Sequence, residues 1–168
     1  MADTLTTNRR LSFDAPSLKG VDASNTPPSG RNWLTVSGLN FGLSIFSQCT
    51  SLGETSSLAS QWYSNSAVAA RGNPGMSTSL SVTVTLLRKC GTLSACLSYN
   101  SPILSSFKES NAPATGQIVV SLYGNAFGLY NDSPFVSIGY SSSSSTWVSQ
   151  STLTVYVDAS SYSGVGCV

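Results

Sequence analysis

LSVTVTLL, residues 80–87, sets Leu80, Val82, Val84 and Leu86 between Ser and Thr. In an extended chain successive side chains point to opposite faces, so this run buries one apolar face and wets the other. The same alternation recurs at Leu34 and Val36, at Val120 and Leu122, and at Leu153, Val155 and Val157. These runs are short, rich in Val, Thr and Tyr, and broken by Gly, Pro, Asn and Ser roughly every ten residues. No stretch holds a helical period through three turns, so the chain is predicted to be all-β. Strands are expected near 17–22, 33–38, 44–49, 56–62, 66–71, 80–87 and 92–99, then near 103–108, 117–123, 134–140, 145–149 and 151–158. The first set has the strand count of an immunoglobulin-like sandwich. YSSSSS (140–145) reads as a flexible or glycosylated loop.

Working outward from that strand, the chain repeats itself. LSFDAP (11–16) returns as LSYNSP (97–102), 86 positions on, and Asn25, Pro27 and Gly30 return as Asn111, Pro113 and Gly116. SGLNFGL (37–43) returns as YGNAFGL (123–129), and WYSNSAV (62–68), one residue out of step, as WVSQSTL (147–153). A period this long is one small domain, not a solenoid turn. The organisation predicted is an N-terminal strand over 1–15, one immunoglobulin-like domain over 16–101 and a second over 102–168. Almost no linker separates them at 99–102, and Pro102 restricts the chain direction there.

Composition narrows the class. Of 168 residues only 9% are charged, the net charge is +1, and 40% are hydrophobic. No basic footprint points to nucleic acid or an anionic membrane, and no apolar run approaches the ~18–20 residues of a membrane span. A Ser-rich, uncharged surface is poorly soluble unless glycosylated or assembled, which points to an extracellular or cell-surface protein. The start, MADTLTTNRR, lacks the apolar core of a signal peptide, so either a leader has been removed or export takes another route. Cys49, Cys90, Cys96 and Cys167 have no CxxC spacing and no His beside them, against a zinc site. One or two disulfides are expected in an extracellular setting, with open connectivity, and Cys167 either free or paired between chains.

The order Pro-x₁₀-Pro-x₂-Gly, a strand ending in GxxFG, a W-x-S-x-S-x-V segment and a final LSY or LSF strand resembles IPT/TIG-type immunoglobulin-like repeats. It looks most like the tandem arrays of surface proteins in unicellular algae and other protists. The resemblance covers nearly the whole chain, more loosely in the second copy. Such repeats often carry a Cys four residues before the Trp and another eight after it. Here those positions hold Leu58 and Ala70, and Ser143 and Val155, so the family disulfide is missing. The resemblance implies fold and extracellular architecture but no chemistry.

Catalysis finds little support. There is no His, which removes Ser–His–Asp and Cys–His systems. The acids Asp3, Asp14, Asp22, Glu54, Glu109, Asp132 and Asp158 are scattered, with no pair spaced for glycoside hydrolysis. A non-enzyme without cofactor is expected. Trp62 and Trp147 occupy equivalent positions and read as core or corner aromatics, with sugar stacking as the alternative. Phe41 and Phe127 read as plugs at the end of each sandwich. Asn131-Asp132-Ser133 is the one glycosylation sequon, weakened by Pro134. Arg9-Arg10 reads as a solvated pair or a strand-edge gatekeeper.

The phase of the repeat bears on function. At an offset of 85, Val165–Val168 align with Leu80–Thr83, so the second copy holds at most half its penultimate strand and no final one. TLTTNRRLSF (4–13) aligns with the final strand of the first copy, TLSACLSY (92–99), with Leu11 and Phe13 matching Leu97 and Tyr99. The second sandwich is thus expected to be incomplete and completed by a strand from a neighbouring chain, giving a head-to-tail homopolymer. The donor face comprises Leu5, Thr7, Arg9, Leu11 and Phe13; the acceptor comprises Ile103, Leu104, Val165 and Cys167. The competing reading is a piece cut from a longer array. The alternative function is an adhesion or carbohydrate-binding module with glycans as partners.

Overall fold

The computed structural model describes residues 12–43, 48–109, 111, 113, 115–131, 134–138 and 141–158. Among them the chain is all-β, with sheets of the immunoglobulin-like kind that are antiparallel except where Asn25–Thr26 runs parallel to Lys89–Tyr99. The first half carries β1 (Ser17–Val21), β2 (Asn25–Thr26), β3 (Trp33–Leu39), β4 (Gln48–Leu52), β5 (Thr55–Ser56), β6 (Ala59–Ser64), β7 (Ala67–Arg71), β8 (Leu80–Leu86) and β9 (Lys89–Tyr99). The second half carries β10 (Ile103–Lys108), β11 (Ile118–Asn125), β12 (Val136–Ile138), β13 (Ser141–Ser143), β14 (Ser145–Ser149) and β15 (Thr152–Val157). Sheet order β1-β3-β7-β6 faces β2-β9-β8-β4-β5 in the first half; the second half has β10-β11-β15-β14 and the pair β12-β13.

The two halves share a backbone as well as a sequence pattern. Left-handed φ angles recur at the repeat spacing: Gly30 (60°) and Gly116 (64°), Arg31 (68°) and Gln117 (60°), Asn40 (65°) and Ala126 (64°), Gly42 (84°) and Gly128 (85°). Irregular pairing falls between Leu18 and Gly20 and again between Leu104 and Ser106. It falls likewise between Trp62 and Ser64 and between Trp147 and Ser149. Gly38 and Gly124 are glycines for one reason. A Cβ on Gly38 would sit 2.3 Å from Ser17 O and 2.5 Å from Phe41 Cζ, and one on Gly124 would sit 2.1 Å from Ile103 O and 2.5 Å from Phe127 Cζ.

Each half has its own apolar core, built from the alternating runs. Leu34, Val36, Val68, Val82, Val84 and Leu97 are buried around Phe41 in the first. Val120, Leu122, Leu153, Val155 and Val157 are buried around Phe127 in the second.

Three expectations need correction. The strand expected near 44–49 runs on to Leu52 and is described from Gln48, while residues 44–47 lie outside those described. Its inward positions are Thr50 and Leu52, and a hydroxyl on an inward face hides the alternation. Ser141–Ser143, read as loop, pairs with Val136–Ile138, because ladder pairing uses backbone groups that a run of identical Ser leaves without a side-chain signal. The expected disulfides are not found among the described cysteines: Cys49, Cys90 and Cys96 are free, and Cys167 lies outside the described residues. Cys49 and Cys90 both neighbour Thr85, one on each side of β8. Two ladder steps put their Cα atoms about 10 Å apart, beyond the span of a disulfide. Cys96 Sγ lies 3.3 Å from the Leu93 carbonyl oxygen.

Candidate functional site

The two copies differ at their first strands. In the first half, β9 crosses β1 so closely that a Cβ at Gly91 would meet Pro16 O at 2.2 Å and Leu18 Cδ1 at 2.9 Å. Leu18 and Val21 are thereby packed against the core. The cognate β10 pairs with β11 on one side, but all six of its residues are exposed. Ile103 is 61% exposed, Leu104 55% and Phe107 57%. Leu104 and Phe107 stand where Leu18 and Val21 stand in the repeat, so apolar residues patterned for a cover lie open. Among the described residues no strand takes the place over β10 that β9 takes over β1. An open apolar strand of this kind suits an added strand.

Of the sequence-derived acceptor, Ile103 and Leu104 lie together on β10, while Val165 and Cys167 lie outside the described residues. Of the donor, Phe13 is 81% exposed in a segment without regular structure, and Leu5, Thr7, Arg9 and Leu11 lie outside the described residues. Asn131 is exposed; Asp132 and Ser133 of its sequon are not described.

The four aromatics are packed in their sandwiches. Phe41 and Phe127 are buried, each with its backbone N–H donating across the end of the sandwich, to Asn65 O at 2.9 Å and to Gln150 O at 3.0 Å. Trp62 and Trp147 are partly buried against the two cores. Trp62 Nε1 donates to the Phe41 carbonyl at 3.0 Å, whereas Trp147 Nε1 is buried without a partner.

A second feature is a cleft between the halves, about 490 Å³ in volume, with Asn25, Tyr99 and Asn100 on one side and Ile103 and Asn125 on the other. Beside it, Pro74, Gly75 and Met76 face Leu129 and Tyr130 across a cavity of about 440 Å³. Tyr99 anchors the wall between: its hydroxyl donates to Asn73 O at 2.8 Å, and its ring lies 2.8 Å from where a Cβ on Gly75 would be. Burial raises the Tyr99 pKa above its ordinary 10.0. Sequence reasoning did not find this cleft. The available signal was an Asn within three residues after each of the predicted strands 17–22, 92–99 and 117–123, but which strand ends meet is a matter of topology.

No family model matches the chain, and no curated protein matches it. Solved structures do. The extracellular region of plexin A4 is similar at 15% identity and a TM-score of 0.48, over 94% of this chain and 17% of that one. A crystal structure with a xylogluco-oligosaccharide is similar at 13% identity and a TM-score of 0.43, over 90% of this chain and 36% of that one. SGBP-B from a complex xyloglucan utilization locus in Bacteroides uniformis is similar at 17% identity and a TM-score of 0.40, over 86% of this chain and 43% of that one. This chain spans less than half the length of each.

Proposed function

We propose that this chain is a non-enzymatic part of an extracellular, cell-surface tandem-repeat protein whose second module completes itself with a strand from a neighbour. The modules are residues 16–101 and 102–168. The donor is the segment 4–13 of the next copy, and the product is a head-to-tail filament. The observation that carries this reading is the contrast between β1, covered by β9, and β10, exposed along its whole length with Leu104 and Phe107 open. A donated strand contributes roughly 1 kcal/mol net per ladder hydrogen bond. Burying Leu11 and Phe13 adds about 1.5–3 kcal/mol per side chain, against association costs of several kcal/mol. Deleting residues 1–13 is expected to leave both modules folded and to abolish polymers seen by electron microscopy. Filaments that persist after the deletion, or an intact chain that is a stable monomer, would refute strand donation.

An adhesion or carbohydrate-binding role is the second reading, supported by the cleft between the halves, whose described lining is amide-rich and without charged residues. It requires no polymer. A glycan array probed with the full chain tests it, and an array without signal counts against it.

A further inference from the structure

We infer that the cleft between the halves binds a neutral oligosaccharide, with side-chain amides from both copies of the repeat holding its hydroxyls. The inference rests on the carbohydrate-binding reading above and adds the place and ligand class. Three amides converge there, Asn25 at β2, Asn100 just past β9 and Asn125 at the end of β11. Asn25 Oδ1 accepts from Ser98 Oγ, and Asn125 Oδ1 accepts from the Ala126 backbone N–H at 2.8 Å. In both, the acceptor end is occupied and the –NH₂ end keeps its donors for a ligand. Asn100 is exposed, and its amide brings both an acceptor and donors. Among the described residues no Lys, Arg, Asp or Glu lines either cavity.

That chemistry discriminates among ligands. Phosphates, nucleotides and sulfated glycans draw on cations, and the described lining has none. Hydroxyls and ring oxygens match amides, which both give and accept hydrogen bonds. The adjoining cavity adds an apolar platform: Tyr130 is 62% exposed and Met76 47% exposed. One wall of both cavities comes from residues 74–78 and the opposite wall includes residues from 125–130. A chain of several sugar units running along the junction would therefore meet amides first and the tyrosine ring next. The bond from the Ala126 N–H holds the Asn125 Oδ1, which orients the donor end of that amide without ligand.

The test titrates the full chain with cello-, xylo-, manno- and galacto-oligosaccharides of about six units and with a heparin hexasaccharide, by calorimetry. Hydrogen–deuterium exchange locates the contact. At least one neutral sugar is expected to bind and to protect residues 74–78, 98–101 and 125–130. Asn100→Ala combined with Asn125→Ala is expected to weaken it at least about tenfold, as loss of two hydrogen bonds should, and Tyr130→Ala to weaken it independently. Circular dichroism of each variant checks the fold. Neutral sugar binding that protects other residues and ignores all three substitutions overturns this site while leaving the carbohydrate reading standing. No binding by any neutral sugar overturns both. Binding of heparin in preference to every neutral sugar overturns the ligand class.

Discussion

Thr50 and Thr26 are both buried, at 0% and 1% exposure, and only one hydroxyl is satisfied. Thr26 Oγ1 donates to Asn32 Oδ1 at 2.6 Å; Thr50 Oγ1 has no partner. Burying an unpaired hydroxyl costs about 1–3 kcal/mol, so Thr50→Val, equal in shape, should raise stability by about 1 kcal/mol, read as a higher urea midpoint at unchanged slope. Tyr99 gives the residue-scale pH dependence. Its folded pKa lies above the unfolded 10.0, so the folded chain holds the proton that the unfolded chain releases. Its contribution is fully present below pH 10 and is lost as pH rises through the folded pKa. Denaturation midpoints taken from about pH 9 to 11 should fall more steeply for the native chain than for Tyr99→Phe. Equal slopes would show that Tyr99 is not the group responsible.

At the scale of elements, GxxFG is a packing device. Its glycine lets the first strand of each copy pass against the second, and its Phe fills the space the missing side chain leaves. Gly124→Ala places a methyl 2.1 Å from Ile103 O and 2.5 Å from Phe127 Cζ, so β10 must lift from β11 or Phe127 must leave its site. The expected loss is about 2 kcal/mol or more in thermal or urea unfolding, with Gly38→Ala behaving alike. The repeat of the motif and the Phe plug were legible in residues 37–43 and 123–129, whereas Gly38 and Gly124, which read as turn residues, lie within strands; strands 103–108 and 145–149 were legible to the residue. β13 was not: a run of Ser carries no alternation, and its pairing depends on Val136–Ile138 across the hairpin. The run of β4 past residue 49 was missed because Thr50 faces inward where an apolar residue was sought.

For the molecule as a whole, the open face of β10 sets the expected behaviour of Leu104→Asp with Phe107→Asp. Both side chains are more than half exposed, so the change should alter folding stability by no more than about 0.5 kcal/mol each. A carboxylate beneath an added strand would meet an apolar partner unpaired, so assembly should be lost, seen as a single slow species in sedimentation velocity. Polymers that form normally would place the contact elsewhere.

Local rules explain what could be read from one dimension. Alternation of period two follows from the geometry of an extended chain, and a duplicated domain must repeat its residues, so the all-β class and the pairs Trp62–Trp147, Phe41–Phe127 and Gly38–Gly124 were visible in the linear chain. The separation of Cys49 from Cys90 by one strand, the exposure of β10 against the cover over β1, and the convergence of Asn25, Asn100 and Asn125 were not. Each depends on which distant strands pair and in which order, and sheet order arises from non-local hydrogen bonding and packing that leave no periodic trace along the chain.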